Sequence, residues 1–130
     1  MNLLLDTHAF LWWLDKRAPL GDAAREALIA AQTVWVSAVT AWEIAIKTAL
    51  GRLKFAEPPE TFVPREMERS GFRPLPVSFG HALAVRALPP HHRDPFDRLL
   101  IVQAQTEGLT LVTVDPAFRR YDVQVLDAAR

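Results

Sequence analysis

Short apolar runs alternate with amphipathic stretches along this chain, and this alternation limits its fold more than any other feature. The runs Asn2–Leu5, Val34–Val36, Thr110–Val114 and Val123–Leu126 are rich in leucine and β-branched residues and predict buried strands. Strands that alternate with helices favour an α/β domain with a mostly parallel central sheet flanked by helices. A length of 130 residues fits one domain, so we expect a single domain over residues 1–130.

Capping residues and glycines delimit the helices between these strands. The predicted helices are Thr7 to Asp15, Ala23 to Ala30 after a capping Asp22, Val39 to Leu50 after Ser37, Glu60 to Ser70, Phe79 to Leu88, and Pro95 to Glu107 after Asp94. Gly51, Gly71 and Gly108 are typical helix stops. Proline restricts Leu75-Pro76-Val77 to an edge segment of the sheet, because it cannot donate to a central ladder.

The composition excludes several classes of protein. There is no cysteine, which rules out disulfides and thiolate metal sites and is compatible with a reducing cytoplasm. No apolar run approaches the roughly 18–20 residues of a membrane span, and the start of the chain lacks the basic flank of a signal peptide. We therefore expect a soluble intracellular protein without membrane contact.

The formal net charge is zero, from 15 basic and 15 acidic residues. Proteins that coat nucleic acid by neutralising phosphates carry an excess of positive charge, and this chain has none. Any binding of nucleic acid must depend on local placement of charge or on bound cations.

Five carboxylates stand where the predicted strands end or the predicted helices begin. Asp6 and Asp115 follow strands, Glu43 lies one turn into a helix, and Asp94 and Asp97 occupy the cap and first turn of another. Ligands of open α/β sheets bind outside the carboxyl ends of the strands. We expect these acids to converge on one crevice at that edge.

Such a convergence needs compensation. Two carboxylates 4 Å apart repel by roughly 4 kcal/mol near a protein surface, whereas a helix N-terminus offsets only about 0.3–1 kcal/mol. Either some of the acids are protonated or cations lie among them. Oxygen ligands select hard ions, so Mg²⁺ or Mn²⁺ is the expected cofactor. Such an ion can activate water and stabilise a leaving oxygen, which points to phosphodiester hydrolysis.

Each acid also has a purely structural interpretation. Asp6 and Asp94 suit N-caps, and Asp115 suits a turn before Pro116. Glu43 can pair on the surface with Lys47, a contact worth about 0.3–0.5 kcal/mol. Taken singly, these interpretations compete with the metal site, and only the shared location of the acids favours the latter.

Several motifs in order resemble PIN-domain proteins, and within that family the VapC-type toxins of bacterial toxin–antitoxin pairs. They are Asp6-Thr7-His8 after an apolar run, Ser37 with Trp42-Glu43-Ile44-Ala45-Ile46-Lys47, Arg93-Asp94-Pro95-Phe96-Asp97-Arg98-Leu99-Leu100-Ile101, and Thr113-Val114-Asp115 with Phe118 and Tyr121. The motifs extend through nearly the whole chain.

The resemblance implies a metal-dependent endoribonuclease that acts on RNA, pairs with a cognate antitoxin protein and forms a homodimer. The acids that match the family by position are Asp6, Glu43, Asp97 and Asp115. Asp94 is an additional acid that binds metal or only caps its helix. The resemblance also implies supporting hydroxyls beside the site at Ser37 and Thr113.

Other side chains receive weaker predictions. Arg93, Arg98 and Lys47 are candidate phosphate contacts, and His91 and His92 either flank the crevice with them or lie in a solvated loop. A transition-metal site at the two histidines is disfavoured, because adjacent histidines rarely point at one ion. Trp12, on the minority face of its helix, is the expected contact for the antitoxin or a second copy.

Two other functions remain open. One is a catalytically idle PIN-like interaction module, which is disfavoured because all four acids are present. The other is an aspartate-based phosphatase or receiver-like domain with Asp6 as phosphate acceptor. It is disfavoured because Thr and His follow Asp6, where a second aspartate two residues on is expected.

Overall fold

A computed structural model describes all residues from Met1 to Arg130. The strands are β1 (Asn2–Leu5), β2 (Thr33–Ser37), β3 (Arg73–Leu75), β4 (Thr110–Thr113) and β5 (Val125–Asp127). The helices are α1 (Thr7–Leu14), α2 (Asp22–Ala30), α3 (Ala38–Ala49), α4 (Pro59–Ser70), α5 (Phe79–Ala84) and α6 (Pro95–Glu107), with 3-10 turns at Val85–Ala87 and Pro116–Arg120.

The five strands form one parallel sheet in the order β3-β2-β1-β4-β5. The chain builds outward from β1 to β2 and β3, then crosses to the other side of β1 for β4 and β5. The strand order therefore reverses between β1 and β4, the place where open α/β sheets bind ligands. The predicted α/β class with a mostly parallel sheet is confirmed.

Helices cover both faces of the sheet. Leu3 and Leu5 of β1 point into one cluster with Phe10 of α1, Leu28 of α2 and other buried apolar residues. Leu4 points the opposite way, into a second cluster built on α6 and the turn after β4. Successive side chains of a strand face opposite sides, so a strand buried on both faces has to be continuously apolar, as β1 is.

Helix ends largely follow the capping signals in the sequence. Ser37 and Asp94 accept hydrogen bonds from backbone N–H groups at the starts of α3 and α6. Gly71 and Gly108 end α4 and α6 with φ angles of 73° and 68°, a left-handed conformation that suits glycine. Asp22 does not cap α2, however, because the helix begins at Asp22 itself.

Four further features differ from the prediction. The edge strand is Arg73–Leu75, two residues earlier than expected, and it ends before Pro76, which has no N–H to extend the ladder. The segment predicted as one helix over Phe79–Leu88 is a short α5 followed by a 3-10 turn. The turn Pro116–Arg120 was not predicted, and β5 starts at Val125, later than Val123.

None of the helices combines the length and apolar character needed to cross a membrane.

Candidate active site

Strand ends and helix starts bring the predicted acids to one edge of the sheet. Asp6 Oδ1 accepts from Ala9 N at 2.8 Å and so caps α1, and Asp115 Oδ1 accepts from Ala117 N at 2.9 Å at the next 3-10 turn. The capping interpretation of Asp6 and the turn interpretation of Asp115 therefore both agree with the structure. Each cap uses only one carboxylate oxygen, so capping and a role in the crevice are compatible. We call Asp6, Glu43, Asp97 and Asp115 the acid crevice.

Asp6 lies deepest in the acid crevice, with 3% of its surface exposed. Burial raises the pKa of its carboxyl, and the nearby charge of Asp115 acts in the same direction. Hydrogen bonding from Thr113 opposes this rise in pKa. Thr113 Oγ1 also accepts from Asp115 N at 3.0 Å. Thr113 thus touches two members of the acid crevice.

Asp97 carries the clearest electrostatic sign of convergence. Burial first, and then the negative charge of Asp94, raise the pKa of its carboxyl to about 7. His92 opposes this rise, while Asp6 and Glu43 add to it. Side chains from three separate elements therefore act on one carboxyl in the first turn of α6. The acids are close enough to repel one another, as the sequence predicted.

Glu43 is held on both oxygens. Thr7 Oγ1 donates to Oε1 at 2.7 Å, and Lys47 Nζ lies 2.8 Å from Oε2. Thr40 Oγ1 is 3.2 Å from Thr7 Oγ1 and extends this buried cluster. The predicted pair with Lys47 exists, but Glu43 is buried and does not form a surface contact. Thr7 and Thr40 were not singled out in the sequence.

His92 lies in the acid crevice itself, whereas the sequence predicted only that it flanks the crevice or lies in a solvated loop. Its Nε2 lies 2.9 Å from Asp115 Oδ2 and 3.1 Å from Asp97 Oδ2. The three ligand-type atoms lie within 4.8 Å of one another. His92 N donates to Tyr121 Oη at 2.7 Å, which fixes the loop that carries the ring. Tyr121 belongs to one of the motifs noted in the sequence, but nothing in the sequence shows that it contacts His92.

The hydroxyl of Ser37 makes no hydrogen bond to the acid crevice. It donates to Gln103 Oε1 at 2.6 Å and accepts from Val39 N at 3.0 Å. Gln103 in turn reaches His81, whose Nε2 lies 3.3 Å from Glu107 Oε2. We call Ser37, His81, Gln103 and Glu107 the amide network. The Ser37 hydroxyl thus caps α3 and joins the amide network, and it does not itself orient any of the four carboxylates.

Asp94 caps α6, as one of its two predicted alternatives requires. Its Oδ1 accepts from Phe96 N at 2.9 Å and lies 3.4 Å from Asp97 N. Its charge still acts on Asp97, because it is the second largest cause of the raised pKa there.

The side chains predicted to contact phosphate differ in whether they are free to do so. Arg93 is exposed in the loop before α6, and Lys47 lies at the edge of the crevice on Glu43. Arg98 is occupied, because its guanidinium donates to four backbone carbonyls, those of Val85, Leu88, Pro89 and His92. These bonds also satisfy carbonyls where the predicted helix over Phe79–Leu88 stops early. We leave Arg98 out of the phosphate contacts.

The aromatic residues divide into packed and exposed ones. Trp12 and Phe55 are half-buried against the core and line a groove of about 500 Å³ with Phe62. Trp42 is 58% exposed and meets Phe96 edge-on, with ring centroids 4.8 Å apart. Trp12 can still contact a partner through the groove, but Trp42 presents far more free aromatic surface.

The donor set of the acid crevice fits a hard divalent cation. Among lysine and arginine side chains, only Lys47 pairs with one of the four carboxylates, so Asp6, Asp97 and Asp115 have no lysine or arginine partner within the chain. The carboxylates of Asp97 and Asp115 are close enough for one ion to reach both. Carboxylate oxygens are the preferred ligands of Mg²⁺ and Mn²⁺.

Comparisons with known proteins identify the family of the chain. The family model described as PIN domain matches residues 3–124. Ribonuclease VapC22 of Mycobacterium tuberculosis is 30% identical over 121 residues, which cover 92% of each protein. Ribonuclease VapC16 of the same organism is 44% identical over 55 residues, which cover 42% of this chain and only 39% of that protein.

Solved structures share the fold at low identity. VapBC2 from Rickettsia felis, bound to a DNA fragment from its promoter, has a TM-score of 0.73 at 18% identity and covers 97% of this chain and 98% of that one. A toxin–antitoxin complex from Klebsiella pneumoniae has a TM-score of 0.63 at 18% identity, with 97% of both chains covered.

Proposed function

The chain belongs to the PIN domain family, and on that premise we propose that it is a metal-dependent endoribonuclease, the toxin of a toxin–antitoxin pair. We assign this activity to one domain that comprises residues 1–130. RNA is the proposed substrate because VapC22, which matches along 92% of both chains, is named a ribonuclease. The cytoplasm, where such RNA is found, is the proposed location.

The observation that carries the proposal is the convergence of Asp97 and Asp115, whose ligand-type atoms lie within 4.8 Å of each other in a crevice with little positive charge. Burial and the neighbouring carboxylates raise the pKa of Asp97 to about 7, so protonation relieves part of the repulsion when no ion is bound. A bound cation relieves the repulsion while the carboxylates stay ionised. The charge of the crevice therefore supports a divalent ion, Mg²⁺ or Mn²⁺, held by Asp6, Asp97 and Asp115.

The surrounding side chains have separate tasks in this proposal. Thr113 orients the Asp6 carboxylate, and Thr7 and Lys47 hold Glu43. Arg93 and Lys47 lie where they can contact RNA phosphates. A bound divalent ion supplies an activated water and offsets charge on the scissile phosphate. Asp97 releases its proton before it can act as a ligand, so the occupied site favours its ionised form.

We further propose an antitoxin protein and a second copy of this chain as partners. A solved neighbour is itself a toxin–antitoxin complex, which supports the first assignment by analogy of fold. Trp12 in the apolar groove with Phe55 and Phe62 is the proposed antitoxin contact, and Trp42 is the proposed contact between copies. The variants Trp12→Ala and Trp42→Ala test the two contacts, and size-exclusion chromatography with light scattering follows the assemblies. The Trp12 assignment is wrong if antitoxin affinity stays unchanged in Trp12→Ala. The Trp42 assignment is wrong if dimerisation stays unchanged in Trp42→Ala.

Cleavage of a panel of structured RNAs tests the proposed activity. The wild-type protein should cleave with Mg²⁺ or Mn²⁺, and EDTA or Asp6→Asn should abolish cleavage. Asp122→Asn is a matched control, because Asp122 is exposed and lies in a loop outside the crevice. Cleavage that survives both EDTA and Asp6→Asn contradicts the metal mechanism. A phosphorylated Asp6, detected by mass spectrometry after incubation with a phosphoryl donor, supports the receiver-like alternative.

A further inference from the structure

His92 directs one ring nitrogen into the acid crevice, and the other ring nitrogen determines what it can do there. Asp94 N donates to His92 Nδ1 at 3.1 Å. A ring nitrogen that accepts a hydrogen bond carries no proton, so the neutral imidazole carries its proton on Nε2. Nε2 is the atom that faces Asp115 and Asp97. A protonated Nε2 is a hydrogen-bond donor and has no lone pair for a metal ion.

The loop around His92 is fixed at several points, so the ring cannot easily turn over. Tyr121 Oη accepts from His92 N and donates to Pro89 O at 2.8 Å. Arg98 donates to the carbonyl of His92 at 3.3 Å. The His92 ring meets Phe118 edge-on, with centroids 5.7 Å apart. These contacts hold the same nitrogen toward the carboxylates.

We propose that His92 is a positioning residue whose Nε2–H holds Asp97 and Asp115 at a fixed spacing, and that it does not ligate the ion. The inference rests on the proposed function, since it takes these carboxylates as ligands of a divalent ion. Groups that hydrogen-bond to metal ligands typically contribute about 10- to 100-fold in affinity. Because His92 remains a donor, the protein ligands are all oxygens, which favours Mg²⁺ and Mn²⁺ over Zn²⁺.

Direct ligation by His92 is the competing arrangement, and the short distances alone allow it. It requires the proton to move to Nδ1, where it would face the N–H of Asp94. Two N–H groups cannot share a hydrogen bond. The start of α6, which Asp94 caps, would have to shift to make room.

Mn²⁺ binding to the full chain, without RNA, distinguishes the two arrangements. His92→Leu removes the donor, whereas His92→Gln keeps an N–H at a similar reach. His91→Leu is the matched control, because His91 is exposed and packs only edge-on against Tyr121. Affinity is measured from the EPR signal of free Mn²⁺, and pulsed EPR on the bound ion detects a directly coordinated ¹⁴N. Circular dichroism checks that each variant is folded.

We expect no coordinated ¹⁴N in the wild-type protein, an affinity at least about tenfold weaker in His92→Leu, and near wild-type affinity in His92→Gln and His91→Leu. A ¹⁴N coupling that disappears in His92→Leu overturns the inference, as does unchanged affinity in that variant. Both of these results leave a metal-dependent activity in place. A wild-type chain that binds no Mn²⁺ overturns the metal dependence of the proposed function and the inference with it.

Discussion

The acid crevice and the amide network are both buried and polar, yet they differ in how their groups are satisfied. In the amide network each group has a partner in the chain: Ser37 bonds to Gln103, Gln103 to the carbonyl of Pro76, and His81 to Glu107. In the acid crevice neutral donors bond to some carboxylate oxygens, but apart from the ring of His92 the only basic side chain that pairs with the four carboxylates is Lys47. Buried polar groups that are satisfied internally stabilise one conformation, whereas uncompensated charge requires something from outside the chain.

The comparison teaches that burial and polarity alone do not identify a functional site. Gln103 is fully buried, and Asp6 nearly so. The acid crevice differs because its carboxylates lie close together, and burial and neighbouring negative charges raise the pKa of Asp6 and of Asp97. The convergence of like charges, and not the depth of the side chains, distinguishes a candidate active site from a structural cluster.

Variants in the two regions should differ most strongly in their rate of RNA cleavage. We expect Asp97→Asn to lower the rate of cleavage at least about 100-fold, because removing a ligand forfeits several kcal/mol of transition-state stabilisation. Gln103→Leu should change the rate less than about threefold. Single-turnover kinetics with saturating Mg²⁺ checks both. Equal losses in the two variants mean that the regions act as one unit and that our division is wrong.

The pH dependence of stability should also differ between the regions. In EDTA, the folded form keeps Asp97 protonated up to a pKa of about 7, against 3.8 in the unfolded chain. Below pH 3.8 both states are protonated and the effect is absent. Between pH 4 and 7 only the unfolded chain ionises, so wild-type stability falls as pH rises. The full shift corresponds to roughly 4 kcal/mol, less some screening because 21% of the side chain is exposed.

Asp97→Asn lacks this penalty and should gain stability over the wild-type chain as pH rises. We expect its advantage in Tm to be at least about 4 °C larger at pH 8 than at pH 5, both in EDTA. Asp122→Asn should follow the wild-type curve. Thermal unfolding monitored by circular dichroism gives the comparison, and a difference in Tm that does not vary with pH rules out the raised pKa.

Gln103→Leu should affect the amide network alone. The change leaves the Ser37 hydroxyl and the Pro76 carbonyl without their partner, which costs about 1–3 kcal/mol in free energy of unfolding. Urea unfolding measures this loss. Affinity for Mn²⁺ should stay within about twofold of the wild-type value, and a larger change would connect the network to the crevice.

The sequence predicted the parts of the fold and site that depend on local patterns. Strand runs placed Asp6 and Asp115 at the ends of two strands, and the capping signal at Asp94 placed Asp97 in the first turn of α6. What it could not predict depends on contacts between distant segments. Ser37 bonds to a residue 66 positions away, and His92 reaches the crevice only because Tyr121, 29 positions later, fixes its loop.

Titration of the chain with Mg²⁺ by isothermal calorimetry tests most directly whether the acid crevice binds a divalent ion. Wild-type protein, Asp6→Asn and Ser37→Ala form the series, since Ser37 belongs to the amide network although it ends the strand next to β1. We predict binding by the wild-type chain, an affinity at least about tenfold weaker in Asp6→Asn, and a wild-type affinity in Ser37→Ala. The same Mg²⁺ affinity in all three proteins, or none in the wild type, would contradict the account.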